Sequence, residues 1–262
     1  MNNILVTGSR TGLGKFLTEE LNASAHTREN NLEQTFKNNN FDYIIHCAFN
    51  SNFKIFNHNF ANYYEDNIGL TSKLLQSNYK KFIFISSIDV YPQNLQTTYN
   101  ENTEFLIEDI SSLYGKMKFM CETLVKSQSS NHLIIRPSAL LGPYMKKNNI
   151  IKLLFDKTPQ LTLAPDSTFN LISYHNILDF ITHAINQDIK GTYNFTNHNN
   201  ITINNIAHQF SKTPSYGKFK YITNNINNKK LASIYNKPLK DSMIELNNFY
   251  NYIQDKQIFK NE

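Results

Sequence analysis

A glycine-rich turn near the start of the chain constrains the fold more than any other feature. The apolar run Ile4-Leu5-Val6 leads into Gly8, Gly12 and Gly14, and the stretch KFLTEEL that follows has helical character. In a turn between a strand and a helix, such glycines let backbone amides approach the phosphates of a dinucleotide. The spacing departs from the usual G-x-G-x-x-G, so an ordinary glycine-rich connection is the alternative. Its position directly after the first strand favours dinucleotide binding.

Strand-like and helix-like runs alternate along most of the chain. Five apolar stretches are short and nearly continuous: NILVTG, DYIIHCAF, KFIFISS, HLIIRPS and GTYNFTN. Such strands, separated by helices, indicate a parallel sheet covered on both faces. We therefore predict an α/β fold with a doubly wound parallel sheet (Rossmann) and, where the alternation breaks after Pro143, a small C-terminal substrate lobe. The predicted Rossmann domain covers 1–142 and is completed by about 170–196, and the lobe covers 143–169 and 197–262.

Charge and cysteine content exclude several classes of partner. The 26 Lys and Arg residues outnumber the 21 Asp and Glu residues, but they are spread along the chain, which argues against nucleic acid. No apolar run is long enough to cross a bilayer, so the sequence predicts no membrane partner and a cytoplasmic location. Cys47 and Cys121 have neither disulfide nor metal-ligand spacing, which predicts reduced thiols and no metal site.

Five further motifs follow one another in order. They are Ile44-Ile45-His46-Cys47-Ala48, Ser86-Ser87-Ile88-Asp89-Val90-Tyr91, Tyr114-Gly115-Lys116-Met117-Lys118, Ile135-Arg136-Pro137 and Leu141-Gly142-Pro143. From residue 4 to about residue 196 the sequence resembles the short-chain dehydrogenase/reductase superfamily. The motifs resemble its extended branch of sugar-nucleotide epimerases, dehydratases and reductases, in which a fourth strand ends in H-x-A. The glycine spacing is that of the smaller, single-domain members.

The Tyr-x-x-x-Lys motif underlies the predicted catalytic site. Tyr114 and Lys118 are four residues apart and hence on one helix face, where an ammonium can lower the pKa of a phenol. On its own the motif is also typical of a surface aromatic beside a solvated lysine. The resemblance implies that Tyr114 exchanges a proton with the substrate oxygen, that Lys118 also binds the cofactor ribose, and that Ser87 hydrogen-bonds the substrate oxygen. The alternatives for this hydroxyl are the neighbouring Ser86 and a simple strand cap.

Two residues near these motifs are further candidates. In the family's dehydratases two consecutive acids after the hydroxyl remove water, whereas the matching positions here hold Ile88 and Asp89. The missing acid disfavours a 4,6-dehydratase. Asp89 is predicted to contact the substrate together with Ser87 and Tyr114, with a turn-forming acid as the alternative. Asn67 matches a family asparagine that helps position the catalytic helix, with a solvated helix residue as the alternative.

The segment after the first helix bears on the choice of cofactor. NAD-preferring members place an acid at the end of the second strand, whereas NADP-preferring members place an arginine near the 2′-phosphate. The segment from Asn22 to Arg28 has no acid before Glu29, and Arg10 lies within the glycine turn. Two guanidinium groups favour NADP, with NAD as the alternative. The predicted cofactor residues are Gly8, Arg10, Thr11, Gly12, Leu13, Gly14, Arg28, Ala48, Asn67, Tyr114, Lys118 and Pro137.

The substrate lobe offers less specific candidates. Five lysines are candidates for a nucleotide diphosphate, each with a solvated surface lysine as the alternative: Lys146, Lys147, Lys152, Lys218 and Lys220. The last stretch predicts an amphipathic helix that closes the core of the lobe, through Ile244, Leu246, Phe249, Tyr250 and Ile253.

These features imply an NADP(H)-dependent oxidoreductase that reduces a keto group of a nucleotide-linked sugar in the synthesis of cell-surface polysaccharide precursors. The short passage between Thr27 and Asp42 resembles the dTDP-4-dehydrorhamnose reductase subgroup. One alternative is an NAD(P)-dependent sugar-nucleotide epimerase, which keeps its cofactor bound. Another is a non-catalytic dinucleotide-sensing scaffold on the same fold. Many relatives dimerise through the Tyr-x-x-x-Lys helix, which leaves a homodimer open.

Overall fold

The computed structural model describes residues 3–37, 39–52, 56–94, 96–237 and 239–256. Within these ranges the strands, in chain order, are β1 (Ile4–Thr7), β2 (Ser24–His26), β3 (Tyr43–His46), β4 (Lys81–Ile85), β5 (Thr98–Tyr99), β6 (His132–Pro137), β7 (Ala139–Leu141), β8 (Thr168–Phe169), β9 (Leu171–Ser173), β10 (Gly191–Phe195), β11 (Ile201–Thr202) and β12 (Asn225–Ile226). The α-helices are α1 (Gly12–Glu20), α2 (Leu32–Lys37), α3 (Phe56–Tyr64), α4 (Leu70–Leu75), α5 (Leu113–Gln128), α6 (Asn149–Phe155), α7 (Tyr174–Asn186), α8 (Ile203–Gln209), α9 (Lys229–Ala232) and α10 (Ser242–Lys256).

A six-stranded sheet forms the centre of the fold, with its parallel strands in the order β10-β6-β4-β3-β1-β2. The chain runs outward from β1 to β2, returns through α2 and places β3 on the other side of β1. The carboxyl ends of β1 and β3 therefore meet where the strand order reverses, which is where open α/β sheets bind ligands. Because α2 is the helix between β2 and β3, His46 ends the third strand of this sheet and not a fourth.

Each face of the sheet carries its own apolar core, because alternate residues of a strand point to opposite faces. Val6 and Ile45 pack with α1 and α7 on one face, and Leu5 and Ile44 pack with α4 and α5 on the other. All four side chains are fully buried, and burial of a side chain of this size contributes about 1.5–3 kcal/mol. A parallel sheet with helices on both faces confirms the predicted doubly wound α/β class.

A separate apolar core lies in the C-terminal part of the chain and joins α6, α8 and α10. The α10 side chains of Leu246, Phe249 and Ile253 are buried in it, as the amphipathic pattern predicts. Ile244 is 52% exposed, so its predicted place in this core is wrong. The helix turns that residue to solvent because it lies two positions before Leu246, on the opposite face.

The segment around α9 departs from the predicted domain boundaries. Leu231 and Tyr235 pack in the core that α1 and α7 form on the central sheet. Part of the predicted substrate lobe therefore completes the Rossmann side of the protein. The division into a dinucleotide domain and a substrate lobe otherwise stays a prediction.

Membrane-spanning helices and metal-binding clusters are both absent from the described ranges. No helix there combines the length and the apolar character needed to cross a membrane. In the same ranges, no group of three or more His, Cys, Asp or Glu side chains is placed to hold a metal ion. Cys47 and Cys121 are free thiols.

Candidate active site

The glycine turn after β1 has the backbone conformation that its glycines allow. Gly8 and Gly12 have φ angles of 73° and 58°, in the left-handed region that other residues disfavour. A Cβ on Gly8 would lie 2.7 Å from the backbone nitrogen of Ala48, just after β3. A Cβ on Gly14 would overlap the carbonyl of Gly8. The glycines thus let the start of α1 and the ends of β1 and β3 come together.

Two amides at the start of α1 are bonded within the protein. The Gly12 N–H donates to the carbonyl of Tyr144 at 2.9 Å, and the Leu13 N–H donates to the hydroxyl of Tyr174. The Tyr174 ring fits here because residue 142 is a glycine. A Cβ at Gly142 would overlap the ring. No sequence pattern predicts Tyr174 at this place, although the Gly-Pro turn marks the space that its ring needs.

Two adjoining clefts open along the carboxyl edge of the sheet. The inner cleft has a volume of about 470 Å³ and the outer cleft about 740 Å³. They share the lining residues Gly8, Thr11, Ala48, Phe49 and Ser51. The predicted residues that line the inner cleft are Gly8, Thr11, Leu13, Gly14, Ala48, Ser87, Asp89, Tyr114, Lys118 and Pro137. Those that line the outer cleft are Gly8, Arg10, Thr11, Arg28 and Ala48.

The two consecutive serines after β4 point to different surroundings. The Ser87 hydroxyl oxygen accepts the Asp89 N–H at 3.1 Å and also hydrogen-bonds to the Tyr114 hydroxyl. The Ser86 hydroxyl instead donates to buried Glu122 at 2.6 Å. The structure therefore brings Ser87, and not Ser86, beside Tyr114 in the inner cleft.

The Tyr114 hydroxyl is held in its protonated form. Burial raises the pKa of Tyr114, the Asp89 carboxylate raises it further, and the hydrogen bond to Ser87 opposes them only in part. The expectation that Lys118 lowers this pKa is not met, because the lysine Nζ is 5.9 Å from the Tyr114 ring centre and donates to the carbonyl of Ile85 at 2.6 Å. Tyr114 is therefore chemically a proton donor here.

Lys118 is buried beneath an aromatic ring that was not predicted from the motifs. Its Nζ lies 4.1 Å from the ring centre of Phe49, and burial lowers the pKa of Lys118 to about 8. The Phe49 ring also meets the Tyr114 ring edge-on, with centres 5.1 Å apart. Phe49 directly follows the His-Cys-Ala motif, so its position one residue after Ala48 is the pattern that could have identified it.

Asp89 contacts a residue from the C-terminal part of the chain. The Tyr221 hydroxyl donates to Asp89 Oδ1 at 3.0 Å. Burial raises the pKa of Asp89, and the hydrogen bonds from Tyr221 and Ser87 lower it in part. Within 197–262, Tyr221 is the one described residue that lines the inner cleft. No motif singles out Tyr221, because only the folded lobe brings it to the cleft.

Asn67 is buried behind the clefts. It lies in a π turn, Glu65–Gly69, between α3 and α4. Its side chain accepts the Asn50 N–H at 2.7 Å and donates to the Asn50 carbonyl at 3.1 Å. Its own carbonyl accepts the Cys121 thiol of α5 at 3.7 Å. Asn67 thus joins the loop after β3 to the helix that carries Tyr114; like Gly12, it is not among the described residues that line either cleft.

His46 lies at the centre of a buried hydrogen-bond chain under the inner cleft. Its Nδ1 is 2.7 Å from Thr7 Oγ1, and its Nε2 is 3.0 Å from Thr71 Oγ1. The Thr7 oxygen accepts the Ala48 N–H, which leaves its hydroxyl proton for Nδ1. The Thr71 hydroxyl donates to the carbonyl of Asn67, so Nε2 carries the imidazole proton. The chain is complete with a neutral histidine.

We expect His46 to destabilise the protein in mild acid. Burial, aided by the charge of Lys118, lowers the pKa of His46 to about 3 from an ordinary value of 6.5. Between these values the unfolded chain binds a proton that the folded protein does not, so this contribution to stability is complete above pH 6.5 and is lost as the pH falls. From pH 7 to pH 5 the free energy of unfolding should fall by about 2 kcal/mol more than in a His46→Gln variant.

Urea denaturation of both proteins at both pH values measures this difference. His208 is exposed, so a His208→Gln variant is the matched control and should keep the wild-type pH dependence. Equal pH dependence in His46→Gln and the wild type would contradict a neutral, buried His46.

The outer cleft contains both predicted arginines, each paired with an acid. Arg10 forms an ion pair with Glu29, and Arg28 pairs with Asp66 at 2.8 Å. Neither acid belongs to the segment from Asn22 to Arg28: Glu29 directly follows it, and Asp66 comes from the π turn between α3 and α4. Lys146, predicted to bind a substrate diphosphate, lines this cleft instead.

Comparisons with known proteins agree with this fold. A model of the NAD dependent epimerase/dehydratase family matches residues 20–160, more than half of the chain. A search of curated proteins finds no match. Among solved structures, MoeE5 in complex with UDP-glucose and NAD is 15% identical with a TM-score of 0.81, and the match covers 97% of this chain and 99% of that one.

Two other solved structures are similar to a comparable degree. A UDP-N-acetylglucosamine 4-epimerase from Methanobrevibacter ruminantium is 19% identical with a TM-score of 0.79, over 97% of this chain and 99% of that one. A dTDP-4-dehydrorhamnose reductase from Bacillus anthracis in complex with NADP is 18% identical with a TM-score of 0.79, over 96% and 99%. These likenesses establish the fold, and the family match goes further. The chain belongs to the NAD dependent epimerase/dehydratase family, whose members are enzymes that use a nicotinamide dinucleotide.

Proposed function

We propose that the protein is an NADP(H)-dependent oxidoreductase that reduces a keto group of a nucleotide-linked sugar. The observation that carries this proposal is the Tyr114 hydroxyl, which burial keeps protonated and which hydrogen-bonds to Ser87 in the inner cleft. A ketone under reduction needs such a group, because its oxygen takes up a proton as its carbon takes up a hydride. Asp89 is the sole acid among the described residues that line the inner cleft. A single acid does not provide the acid–base pair that dehydration requires.

Three residues of the inner cleft, Ser87, Tyr114 and Lys118, have a task in this proposal. A bound nicotinamide would supply the hydride. Tyr114 gives its proton to the keto oxygen, and Ser87 donates a second hydrogen bond to the same oxygen. Burial lowers the pKa of Lys118 only to about 8, so its ammonium is still charged at neutral pH and would hold a hydroxyl of the cofactor ribose.

The shape of the clefts supports a dinucleotide. The two clefts together run from Tyr114 past the glycine turn to the end of β2. Gly8 lines both and has no side chain, so a ligand can lie against its backbone. Phe49 covers the Lys118 ammonium and has to move before a ribose hydroxyl can hydrogen-bond to it.

The charges of the outer cleft support NADP over NAD. Four cationic side chains line it: Arg10, Arg28, Lys73 and Lys146. A 2′-phosphate is a dianion, and guanidinium groups bind such groups through short, charge-assisted hydrogen bonds. In this proposal the phosphate replaces Glu29 and Asp66 as the partner of the two arginines.

We expect an Arg10→Ala/Arg28→Ala double variant to lose the preference for NADPH over NADH. The wild type should bind NADPH at least about tenfold more tightly than NADH, because the phosphate gains charge-assisted hydrogen bonds. The variant should bind both with similar affinity. Titration of nucleotide-stripped protein, followed by nicotinamide fluorescence, measures the dissociation constants.

Lys237 provides the control for this experiment. It is an exposed cation that pairs with Asp179, and it does not belong to the described lining of either cleft. A Lys237→Ala variant should therefore keep the wild-type preference. Tighter binding of NADH than of NADPH by the wild type would contradict the NADP assignment.

The acids that pair with the two arginines favour a second candidate, an NAD-dependent sugar-nucleotide epimerase. Glu29 and Asp66 are carboxylates of the kind that accept hydrogen bonds from the adenosine ribose of NAD. An epimerase oxidises and then reduces the same carbon and keeps its cofactor, whereas a reductase exchanges it. NAD retained through purification would favour this candidate over the reductase.

One experiment offers both chemistries to the purified protein. Reduction is tested with dTDP-4-dehydrorhamnose and NADPH, following the loss of nicotinamide absorbance. Epimerisation is tested with UDP-glucose and a trace of NAD, following the sugar by NMR. A non-catalytic scaffold would bind dinucleotide and perform neither reaction. A homodimer that includes α5 stays a prediction, which sedimentation of the same protein tests.

A further inference from the structure

Four cations line the outer cleft, and three of them have an acidic partner within the protein. The pairs are Arg10 with Glu29, Arg28 with Asp66, and Lys73 with Glu65. The fourth cation, Lys146, is exposed and has neither an ion pair nor a hydrogen bond among the described residues. Its neighbour Lys147 instead pairs with Asp156 at 2.9 Å. Lys146 therefore brings an unbalanced positive charge to the cleft.

The segment that carries Lys146 is fastened to the glycine turn. The Tyr144 carbonyl accepts the Gly12 N–H at 2.9 Å, and Lys15 of α1 places its Nζ 3.9 Å from the centre of the Tyr144 ring. Met145 packs against the core that α1 and α7 form and against the core of the C-terminal part. Lys146 follows directly, and two residues of chain span at most about 7 Å. The backbone of Lys146 is thus held near the start of α1.

The amides at the start of α1 are less available than in an ordinary dinucleotide turn, where such N–H groups bind the phosphates. The Gly12 N–H is bonded to the Tyr144 carbonyl. The Leu13 N–H is bonded to the Tyr174 hydroxyl, which lies 3.2 Å from where a Cβ on Gly12 would be. An N–H has a single proton, so neither amide is free for a phosphate oxygen. A pyrophosphate beside this turn therefore needs a donor from outside the helix.

We propose that Lys146 binds the pyrophosphate of the dinucleotide, in the role that these two amides would otherwise have. This inference rests on the proposed function, which requires a dinucleotide in the outer cleft. A lysine ammonium carries a full charge and three donors, so it can bond to oxygens of both phosphates. No change in the bonds of Tyr144 or Tyr174 is needed, because the ammonium approaches from the segment that Tyr144 anchors.

The position of Lys146 distinguishes this role from two others. Lys146 is not in the described lining of the inner cleft, where Ser87 and Tyr114 would meet the substrate, so a substrate diphosphate fits it less well. A 2′-phosphate has Arg10 and Arg28 as its proposed partners. A pyrophosphate lies at the glycine turn, to which the Lys146 segment is bonded. Lys146 should therefore contribute equally to the binding of NADPH and NADH, because both contain a pyrophosphate.

The binding of NADPH and NADH to a Lys146→Ala variant tests this assignment without any reaction. Titration calorimetry of nucleotide-stripped protein measures both dissociation constants. Each should rise about tenfold, because a charge-assisted hydrogen bond is lost, and their ratio should stay as in the wild type. A Lys146→Arg variant keeps the charge and should recover most of the affinity. A rise confined to NADPH, or no rise, would overturn the pyrophosphate assignment.

Lys147 is the matched control. It is the next residue of the same segment, but it pairs with Asp156 and does not belong to the described lining of either cleft. A Lys147→Ala variant should therefore keep the wild-type dissociation constants. An equal loss in Lys147→Ala and Lys146→Ala would show that the segment acts only through its general charge, and would overturn a specific contact.

Two fragments of the cofactor locate the contact. ADP-ribose contains the pyrophosphate but neither nicotinamide nor a 2′-phosphate, whereas adenosine 2′-monophosphate contains no pyrophosphate. Lys146→Ala should weaken the binding of ADP-ribose by the same factor as that of NADH, and should leave adenosine 2′-monophosphate unchanged. The opposite pattern would place Lys146 at the 2′-phosphate and overturn the inference.

Failure of this inference and failure of the proposed function look different. If the wild type binds neither NADPH nor NADH, the proposed function fails, and the role of Lys146 fails with it. If the wild type binds them and Lys146→Ala binds them as tightly, only the role of Lys146 fails.

Discussion

A Tyr114→Phe variant should reduce keto sugars about 10²- to 10⁴-fold more slowly than the wild type, because the phenyl ring fills the same space but has no proton to give. The binding of NADPH should change little, since the hydroxyl faces Ser87 and not the outer cleft. The loss should therefore appear in kcat, measured from nicotinamide absorbance, with the dissociation constant of NADPH measured by fluorescence as a second readout.

Tyr63 provides a matched control for this variant. It is a fully buried tyrosine close to Tyr114, and its hydroxyl has no hydrogen-bond partner among the described residues. A Tyr63→Phe variant removes a hydroxyl from the same surroundings without removing a proposed proton donor, and it should keep the wild-type kcat. A Tyr114→Phe variant that loses less than about tenfold would contradict the assignment of Tyr114 as the general acid.

Replacement of Arg136 by methionine is expected to lower the free energy of unfolding by about 3–5 kcal/mol. Arg136 donates to the two carboxylate oxygens of fully buried Glu122 at 2.9 and 2.6 Å. Burial alone would raise the pKa of Glu122, but Arg136 outweighs burial and holds that pKa below its ordinary value. Without the arginine, the carboxyl group keeps only Ser86 and the half-exposed Lys126 as partners. Urea denaturation at pH 7 measures the loss.

The control for Arg136→Met is the removal of both partners. An Arg136→Met/Glu122→Leu double variant should recover most of the lost stability, because the unpaired charge is removed as well. A Lys237→Ala variant breaks an exposed pair with Asp179 and should change stability little. A double variant as unstable as Arg136→Met would show that the damage comes from lost packing and not from the stranded carboxylate.

The central sheet and the glycine turn were predictable because their determinants are local in sequence. Strands such as β3 and β4 are buried on both faces and are therefore nearly continuously apolar, with His46 at the end of one and Lys81 at the start of the other. The conformations of Gly8 and Gly12 depend on the turn itself. Ser87, Tyr114 and Lys118 were identified through the resemblance of their motifs to those of the superfamily. They lie at a strand end and on one helix face, and a parallel sheet brings such positions to the same edge.

The remainder of the site depends on distances that sequence spacing does not encode. Tyr221 reaches Asp89 only when the C-terminal part packs on the sheet, and Asp66 reaches Arg28 only through the π turn. The pKa of Tyr114 shows the same limit. The i, i+4 spacing indicates that Lys118 is near, but the direction of the shift depends on burial and on Asp89, which outweigh the lysine in the folded protein.

The π turn at Glu65–Gly69 links the loop after β3 to the helix that carries Tyr114. A π turn holds one more residue than an α turn and is usually less stable, so a helix that keeps one accepts a local defect. Here the defect turns Asn67 toward Asn50 and leaves its carbonyl to Thr71 and Cys121. A regular α-helix would be easier to form, but Asn67 would then no longer connect the loop after β3 to the helix that carries Tyr114. The irregular turn thus lowers local helix stability, but it couples movement of the loop after β3 to movement of α5.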